Sequence, residues 1–247
     1  MVELPPRLEE SLNDPRLLAG RIQHTLISNC VTRTRWEQHI RECLQYRFNA
    51  AMVPPSWVKV TRMALAGSGI RTASWIDFPL GTMTSAGKAS EARNLIDEGV
   101  EEIDLMPNVG FLASGMEGEY LADIAGVVEA AGEIPVRVML ELPLLNTAQR
   151  ITAVTLSIEA GASYLKNASG GAVGTARVED IRFLRYAAPP EVRIKASGGI
   201  RTVRQVKELL AAGADLVGSG AAAQIMKEVL NQPQSDDQAH GLSRNNY

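Results

Sequence analysis

The sequence predicts an α/β fold with a single closed sheet, a (β/α)8 TIM barrel. Three observations carry the prediction. Apolar runs of four to six residues alternate with helical stretches along most of the chain. Eight such strand–helix units fill most of the 247 residues, the usual size of that barrel. A doubly wound open sheet is the rival, and it calls for a G-x-G-x-x-G turn after the first strand, which this chain lacks.

A short N-terminal helix is expected within "RLEESLNDPRLLAG" (7–20). Strands follow at 21–27 ("RIQHTLI"), 49–53 ("NAAMV"), 71–77 ("RTASWID"), 101–106 ("EEIDLM"), 136–141 ("VRVMLE"), 163–166 ("SYLK"), 192–196 ("VRIKA") and 215–218 ("DLVG"). Segments between them, such as "RTRWEQHIRECLQYR" and "AGKASEARNLIDEG", repeat apolar residues at three and four, the period of a helix with one buried face. Gly67, Gly99, Gly132, Gly161 and Gly213 mark the helix-to-strand joints, because helices commonly stop at a left-handed residue. Residues 1–230 read as one barrel domain. Residues 231–247, "NQPQSDDQAHGLSRNNY", are polar and aperiodic and read as a flexible C-terminal tail.

Composition excludes several classes. A net charge of −3 gives no surface for nucleic acid. No apolar run approaches the roughly 20 residues that span a bilayer, and "MVELPPRLEESL" holds no signal core, so a cytoplasmic protein without membrane contact is expected. Cys30 and Cys43 are too few for a disulfide framework. His24, His39 and His240 are scattered without ligand spacing, so neither metal nor cofactor is expected. His24, near the end of the first strand, is a possible substrate contact. No G-x-S-x-G elbow is present.

Lysine is scarce, six against nineteen arginines, yet Lys166 ends the sixth strand and Lys195 lies near the end of the seventh. In "DEGVEEIDLM", "EAGASYLKNA" and "AAGADLVGSG", Asp104, Lys166 and Gly218 each stand five residues after a glycine. That offset puts them at equivalent strand ends, where barrels hold their active sites. Two ammonium groups so close disfavour double protonation, and a neutral amine attacks carbonyls to form a Schiff base. Asp104 is suited to accept an ion pair or relay a proton. Spacing leaves open which lysine is the nucleophile. It also leaves open a cofactor-free sugar-phosphate isomerase that uses Asp104 and Lys166 as acid and base, and a catalytically silent binder.

Period-two counting puts Glu102 and Asp104, Arg137 and Glu141, and Arg193 and Lys195 on matching faces, which predicts an ionic layer lower in the barrel. Glu102, Arg137 and Arg193 read as structural. Lys59, Lys88, Lys207 and Lys227 fall on helices and read as solvated. The loops "SGGIRT" (197–202) and "GSGAA" (218–222) follow strands seven and eight and open helices, the usual barrel phosphate site; "ASGG" after strand six is a third small-residue loop.

In order, "QHTL", "DFPLGTMT", "EEIDLMPNVG", "YLKNASGG" and "KASGGIRT" resemble the deoxyribose-phosphate aldolase family across roughly residues 20–230. The resemblance implies a metal-free class I aldolase barrel that reversibly cleaves 2-deoxyribose 5-phosphate to acetaldehyde and glyceraldehyde 3-phosphate. It implies Lys166 as the Schiff-base lysine, Lys195 as the second lysine that lowers its pKa, and Asp104 as the proton relay. Thr25, Ser169, Gly170, Gly198, Gly199, Arg201, Gly218 and Ser219 would then meet a small aldehyde or phosphorylated sugar, and the chain would form a homo-oligomer. The terminal Tyr247 would be a candidate for assisting proton transfer.

Departures from the family pattern are Gln23 for an aspartate, Met52 for a cysteine, Pro54-Pro55 for Asn-Pro, Asn167 and Ala168 after the lysine, Leu142 after Glu141, and Gly220 and Ala221 for serines. These changes are expected to spare imine chemistry and to fall on substrate contacts. Each hydrogen bond lost to a charged phosphate removes about 1.5–3 kcal/mol, so these changes leave open whether the acceptor is glyceraldehyde 3-phosphate or another aldehyde.

Overall fold

Eight parallel strands pair in chain order, and the last returns to the first to close a barrel. The structure is a computed structural model that describes residues 12–170 and 173–231. The strands are β1 (Ile22–Thr25), β2 (Ala50–Met52), β3 (Arg71–Ile76), β4 (Glu102–Leu105), β5 (Val136–Met139), β6 (Tyr164–Lys166), β7 (Arg193–Ser197) and β8 (Leu216–Ser219). All eight overlap the expected segments. The helices are α1 (Pro15–Ala19), α2 (Arg33–Tyr46), α3 (Val58–Ala64), α4 (Ser85–Asp97), α5 (Val109–Ala113), α6 (Glu117–Ala131), α7 (Thr147–Glu159), α8 (Val178–Ala187), α9 (Val203–Ala211) and α10 (Ala222–Asn231). Residues 1–11 of the N-terminal segment lie outside the described residues, as does all of the expected tail after Asn231, Tyr247 included. Among the described residues no helix is long and apolar enough to cross a membrane.

Alternation along each strand sends one set of side chains to the helices and the other into the barrel. Ile103, Leu105, Val136, Val138, Leu165 and Ile194 go outward and are fully buried with helical residues such as Leu95, Ile124, Val127, Ile181 and Leu184. Burying each such side chain contributes about 1.5–3 kcal/mol. The joints behave as the glycines suggest: Gly99 and Gly161 follow α4 and α7 at φ of 89° and 90°, a conformation that other residues resist.

The inward set is split in two. On β2 and β3, Ala50, Met52 and Ala73 form a small apolar cluster with Trp75 packed on it. On β4 to β7 the interior is ionic. Fully buried Arg137 pairs with Glu102 and with Asp104 Oδ1, and its guanidinium lies 4.9 Å from the centre of the Tyr164 ring. Arg193 donates to the Tyr164 hydroxyl at 2.8 Å, and Arg71 holds the other oxygen of Glu102 at 2.8 Å.

Two expectations about this layer change. Gln23 donates to Glu102 at 2.7 Å and to Asn49 at 3.1 Å, so its departure from the family pattern falls on the ionic layer and not on a substrate contact. Glu141 does not share the inward face of Arg137. β5 ends at Met139, and the backbone at Glu141 turns left-handed (φ 51°), which breaks the alternation and aims the carboxylate at the loop after β6.

Candidate active site

Strand register assembles the site. Lys166 and Lys195 are direct partners across β6 and β7, and Cα partners share a face. Both ammonium groups therefore point inward together, and they meet on one atom. Asp104 Oδ2 accepts from Lys166 Nζ at 2.8 Å and from Lys195 Nζ at 2.7 Å, while Arg137 takes Oδ1 at 3.1 Å. Three cations thus surround one fully buried carboxylate. Burial alone would push the Asp104 carboxyl up. The ammonium of Lys166, then that of Lys195 and the Arg137 guanidinium, outweigh this and hold it well below the usual carboxylate range. For Lys195 the balance runs the other way. Burial strips its ammonium of water, and Lys166 and Arg137 add to the effect against Asp104, bringing it down to about 7.

Above this cluster opens a cavity of about 520 Å³ at the C-terminal ends of the strands. The three candidate catalytic residues and the eight candidate substrate contacts border it: Asp104, Lys166 and Lys195 at the floor, with Thr25, Ser169, Gly170, Gly198, Gly199, Arg201, Gly218 and Ser219 around them. Gly218 has a second reason to lack a side chain, since a Cβ there would stand 3.1 Å from Lys195 Cε. The loops after β6 and β7 cross as bare backbone. A Cβ on Gly170 would lie 3.0 Å from the Cα of Gly198, and one on Gly198 would lie 2.9 Å from the Gly174 carbonyl oxygen. The Asn167 side chain ties the same loops, accepting from Ser197 N–H at 2.8 Å and donating to Ser197 O at 3.1 Å.

The helix N-terminus expected to hold phosphate is largely occupied by its own cap. At the start of α9, Gln205 Oε1 accepts from the backbone of Arg201 and Thr202, Thr202 Oγ1 accepts from Gln205 N, and Glu228 takes Val203 N. What faces the cavity there is the Gly198–Gly199 turn and the exposed Arg201.

Met52, one of the departures expected to fall on substrate contacts, does border the cavity, whereas sequence reasoning missed other wall residues: Ile27, Trp75, Phe78, Met139 and Gln224. The signal for one of them was present. Trp75 stands two residues after Ala73, on the inward face, whereas Phe78 lies on a loop with no period to read. His24 does not reach the cavity. It lies on the outward face of β1, 2.8 Å from Glu42 and with its ring centre 4.2 Å from that of His39. Lys88, expected in solvent, is fully buried: it donates to Asp123 at 2.6 Å and Gly81 O at 3.0 Å. Glu141 accepts from Ser169 N–H, and burial raises its carboxyl, with that hydrogen bond opposing.

A parallel barrel whose mouth holds two lysines on one carboxylate has the parts of a lysine-dependent aldolase, in which a side-chain amine takes up a carbonyl. No family model matches the chain. It is 38% identical over 206 residues to a deoxyribose-phosphate aldolase of Streptococcus gordonii, covering 83% of this chain and 94% of the relative. It is 37% identical over 210 residues to that of Bacillus cereus, covering 85% and 94%. The solved deoxyribose phosphate aldolase of Aeropyrum pernix, described as a tetramer, superposes with a TM-score of 0.83 at 28% identity, covering 91% of this chain and 97% of the other. The chain belongs to the deoxyribose-phosphate aldolase family.

Proposed function

We propose that this protein is a class I aldolase, a carbon–carbon lyase that reversibly cleaves 2-deoxyribose 5-phosphate to acetaldehyde and glyceraldehyde 3-phosphate through an imine on Lys166. The observation that carries the reading is the shared oxygen: Lys166 and Lys195 donate to the same Asp104 Oδ2 beneath an open cavity.

Burial, with the Lys166 and Arg137 cations, brings Lys195 down to about 7, so around neutral pH the pair begins to give up one of its two protons. Asp104, in contact with both, passes the proton across and leaves Lys166 as the neutral nucleophile. Lys166 is the more accessible of the two, at 5% exposure against 1%. Its Nζ adds to the carbonyl carbon to give a carbinolamine, and loss of water assisted by Asp104 and Lys195 gives the iminium. The 3-hydroxyl gives up its proton to a base as the C2–C3 bond breaks, the iminium accepts the electron pair of that bond, and glyceraldehyde 3-phosphate leaves. The enamine left behind is protonated and then hydrolysed, releasing acetaldehyde and the amine. Such a relay contributes on the order of 10²–10⁴-fold. Arg137, which the sequence suggested as purely structural, holds Asp104 ionised and adds to the lowering at Lys195.

Thr25, Ser169, Gly170, Gly198, Gly199, Gly218 and Ser219 form the substrate walls in this reading, and Arg201 supplies the charge for a phosphate. Residues 1–230 act as one catalytic unit in the cytoplasm. A homo-oligomer is part of the proposal, as for the Aeropyrum pernix tetramer.

Borohydride reduction in the presence of acetaldehyde, followed by peptide mass spectrometry, tests the mechanism. The expected result is a two-carbon adduct on Lys166, absent from Lys166→Ala. A folded protein with no adduct on any lysine overturns it, and an isomerase using acid–base chemistry alone would give that outcome.

A further inference from the structure

We propose that Glu141 is a positioning residue of the aldol reaction: its buried carboxylate holds the loop after Lys166 in place and favours the cationic, iminium state of that lysine. The inference rests on the imine reading of Lys166 and gives it a second carboxylate beside Asp104.

The backbone supplies the first observation. Leu140 N–H donates to Lys166 O at 2.9 Å and Leu142 N–H donates to Asn167 O at 3.0 Å, so Glu141 lies between two rungs that run along the end of β6. Its own backbone is left-handed, at φ 51° and ψ 48°, a conformation that residues with a side chain resist. Glycine would adopt it without strain. What the chain gains from glutamate there is the carboxylate, which the turn swings away from Arg137 and over the loop.

The second observation is the grip on that loop. Asn167 is tied through its side chain to the backbone of Ser197, and Ala168 O accepts from Ser197 Oγ at 2.6 Å. Ser169 donates its N–H to Glu141. Of these bonds, the one to Glu141 is the one made with an ionisable partner. Ser169 and Gly170 then border the cavity, so Glu141 shapes a wall of which it is not itself a part.

The third observation is charge. Glu141 is fully buried, and its Oε2 has no hydrogen-bond partner among the described residues. Asp104, Lys195 and Arg137 are engaged with one another in the cluster beneath, where Asp104 is shared among three cations. Lys166 is the charged group that acts on Glu141. Burial opposes ionisation of the Glu141 carboxyl, while its hydrogen bonding with Ser169 and then the Lys166 ammonium favour it. Such coupling is reciprocal, so an ionised Glu141 favours positive charge on Lys166. The attacking amine is neutral and the iminium is a cation. The carboxylate therefore stabilises the intermediate over the free amine, and removing the proton that it also favours falls to Lys195 and Asp104.

The test reads kcat, KM and the pH profile of kcat/KM for 2-deoxyribose 5-phosphate cleavage by the full-length parent, Glu141→Gln and Glu141→Leu. Glutamine keeps an acceptor for Ser169 N–H and removes the charge. It should lower kcat about tenfold and move the limb near pH 7 to lower pH, because Lys166 then gives up its proton more easily. Leucine also releases the loop and should lower kcat on the order of 10²-fold. A structural clamp alone would leave the Glu141→Gln limb in place, so an unmoved limb overturns the proposal whatever happens to kcat. Parental activity in Glu141→Leu overturns it as well. The reciprocal measurement needs no change at position 141: glutamate carboxyl groups are titrated by carbon-13 NMR in the parent and in Lys166→Ala. Glu141 should titrate at higher pH once its cation is gone, and an unchanged titration overturns the proposal. A parent that gives no borohydride adduct sinks the imine reading and this inference together, whereas an adduct with an unmoved limb sinks the inference alone.

Discussion

Lys88 and Lys195 are both buried, and both touch an aspartate, yet their surroundings are inverted. Lys88 is one cation among acceptors: Asp123 at 2.6 Å, Gly81 O at 3.0 Å and Asp77 at 3.5 Å. Asp123 in turn accepts from Ser85 Oγ and from Asn108 N–H, so the cluster pins the segments after β3 and β4 to α6. Lys195 is one of three cations around Asp104. The charge ratio separates the two sites. A surplus of acceptors matches the cation and converts its charge into a loop anchor. At Lys195 burial acts first and the surplus of cations adds to it, so that its proton becomes available near pH 7.

The comparison breaks if chemistry follows the wrong cluster, so the largest expected effect is at Lys166. Lys166→Ala should lose on the order of 10⁵-fold in turnover in a steady-state aldol assay, with a thermal midpoint close to that of the parent. Lys88→Met should do the reverse. It leaves Asp123 buried without its cation, which costs about 3–5 kcal/mol of stability by urea unfolding. Turnover of the fraction that remains folded should change less than about tenfold. An unaltered urea midpoint would show that the acceptor-rich cluster anchors nothing.

Lys195→Met sharpens the contrast, because it removes a cation from the site that has too many. Turnover should fall about 10²–10³-fold. In the parent, activity rises with pH through about 7, as the pair loses its second proton. In the variant that limb should no longer lie near 7 in the pH profile of kcat/KM, which reports the free enzyme. Asp104 keeps Lys166 and Arg137, so replacing the ammonium by a hydrocarbon of similar length should leave stability equal or higher in the same urea assay. The smallest effect belongs to Asp77→Asn. Its carboxylate stands 3.5 Å from Lys88 and also accepts from Met83 N–H, a contact an amide oxygen retains. About 1 kcal/mol of stability and no shift in the pH profile are expected.

The sequence carried the barrel far, because strand and helix periods are local. It also placed Asp104 and Lys166 at strand ends by their offset from a glycine, and Lys195 near the end of the seventh strand. It carried less wherever a side chain depends on a partner far along the chain. Lys88 read as solvated, although it lies in one stripe with Ala92 and Leu95, both buried on α4. That spacing of four and three was the available clue; the answering Asp123 is 35 residues away. Glu141 was misassigned because a single left-handed residue ends the alternation on which the parity argument rests. The α9 cap hid for a related reason: "SGGIRT" shows glycines open to an anion, while Gln205, which takes the neighbouring N–H groups, lies just past the motif.

The crossing of Gly170 and Gly198 constrains how this enzyme can change. Where two loops meet as bare backbone, there is no side chain to shorten, lengthen or exchange, and any substituent collides with the opposite strand of chain. Selection, natural or in the laboratory, has almost no single-step moves on that flank of the mouth. The flank built from Ile27, Met52, Trp75 and Phe78 consists of side chains whose size can be varied one residue at a time. New acceptor preferences should therefore arise from mutations clustered on the first three strands and the loops that follow them, while the glycine flank stays fixed as the invariant half of the mould.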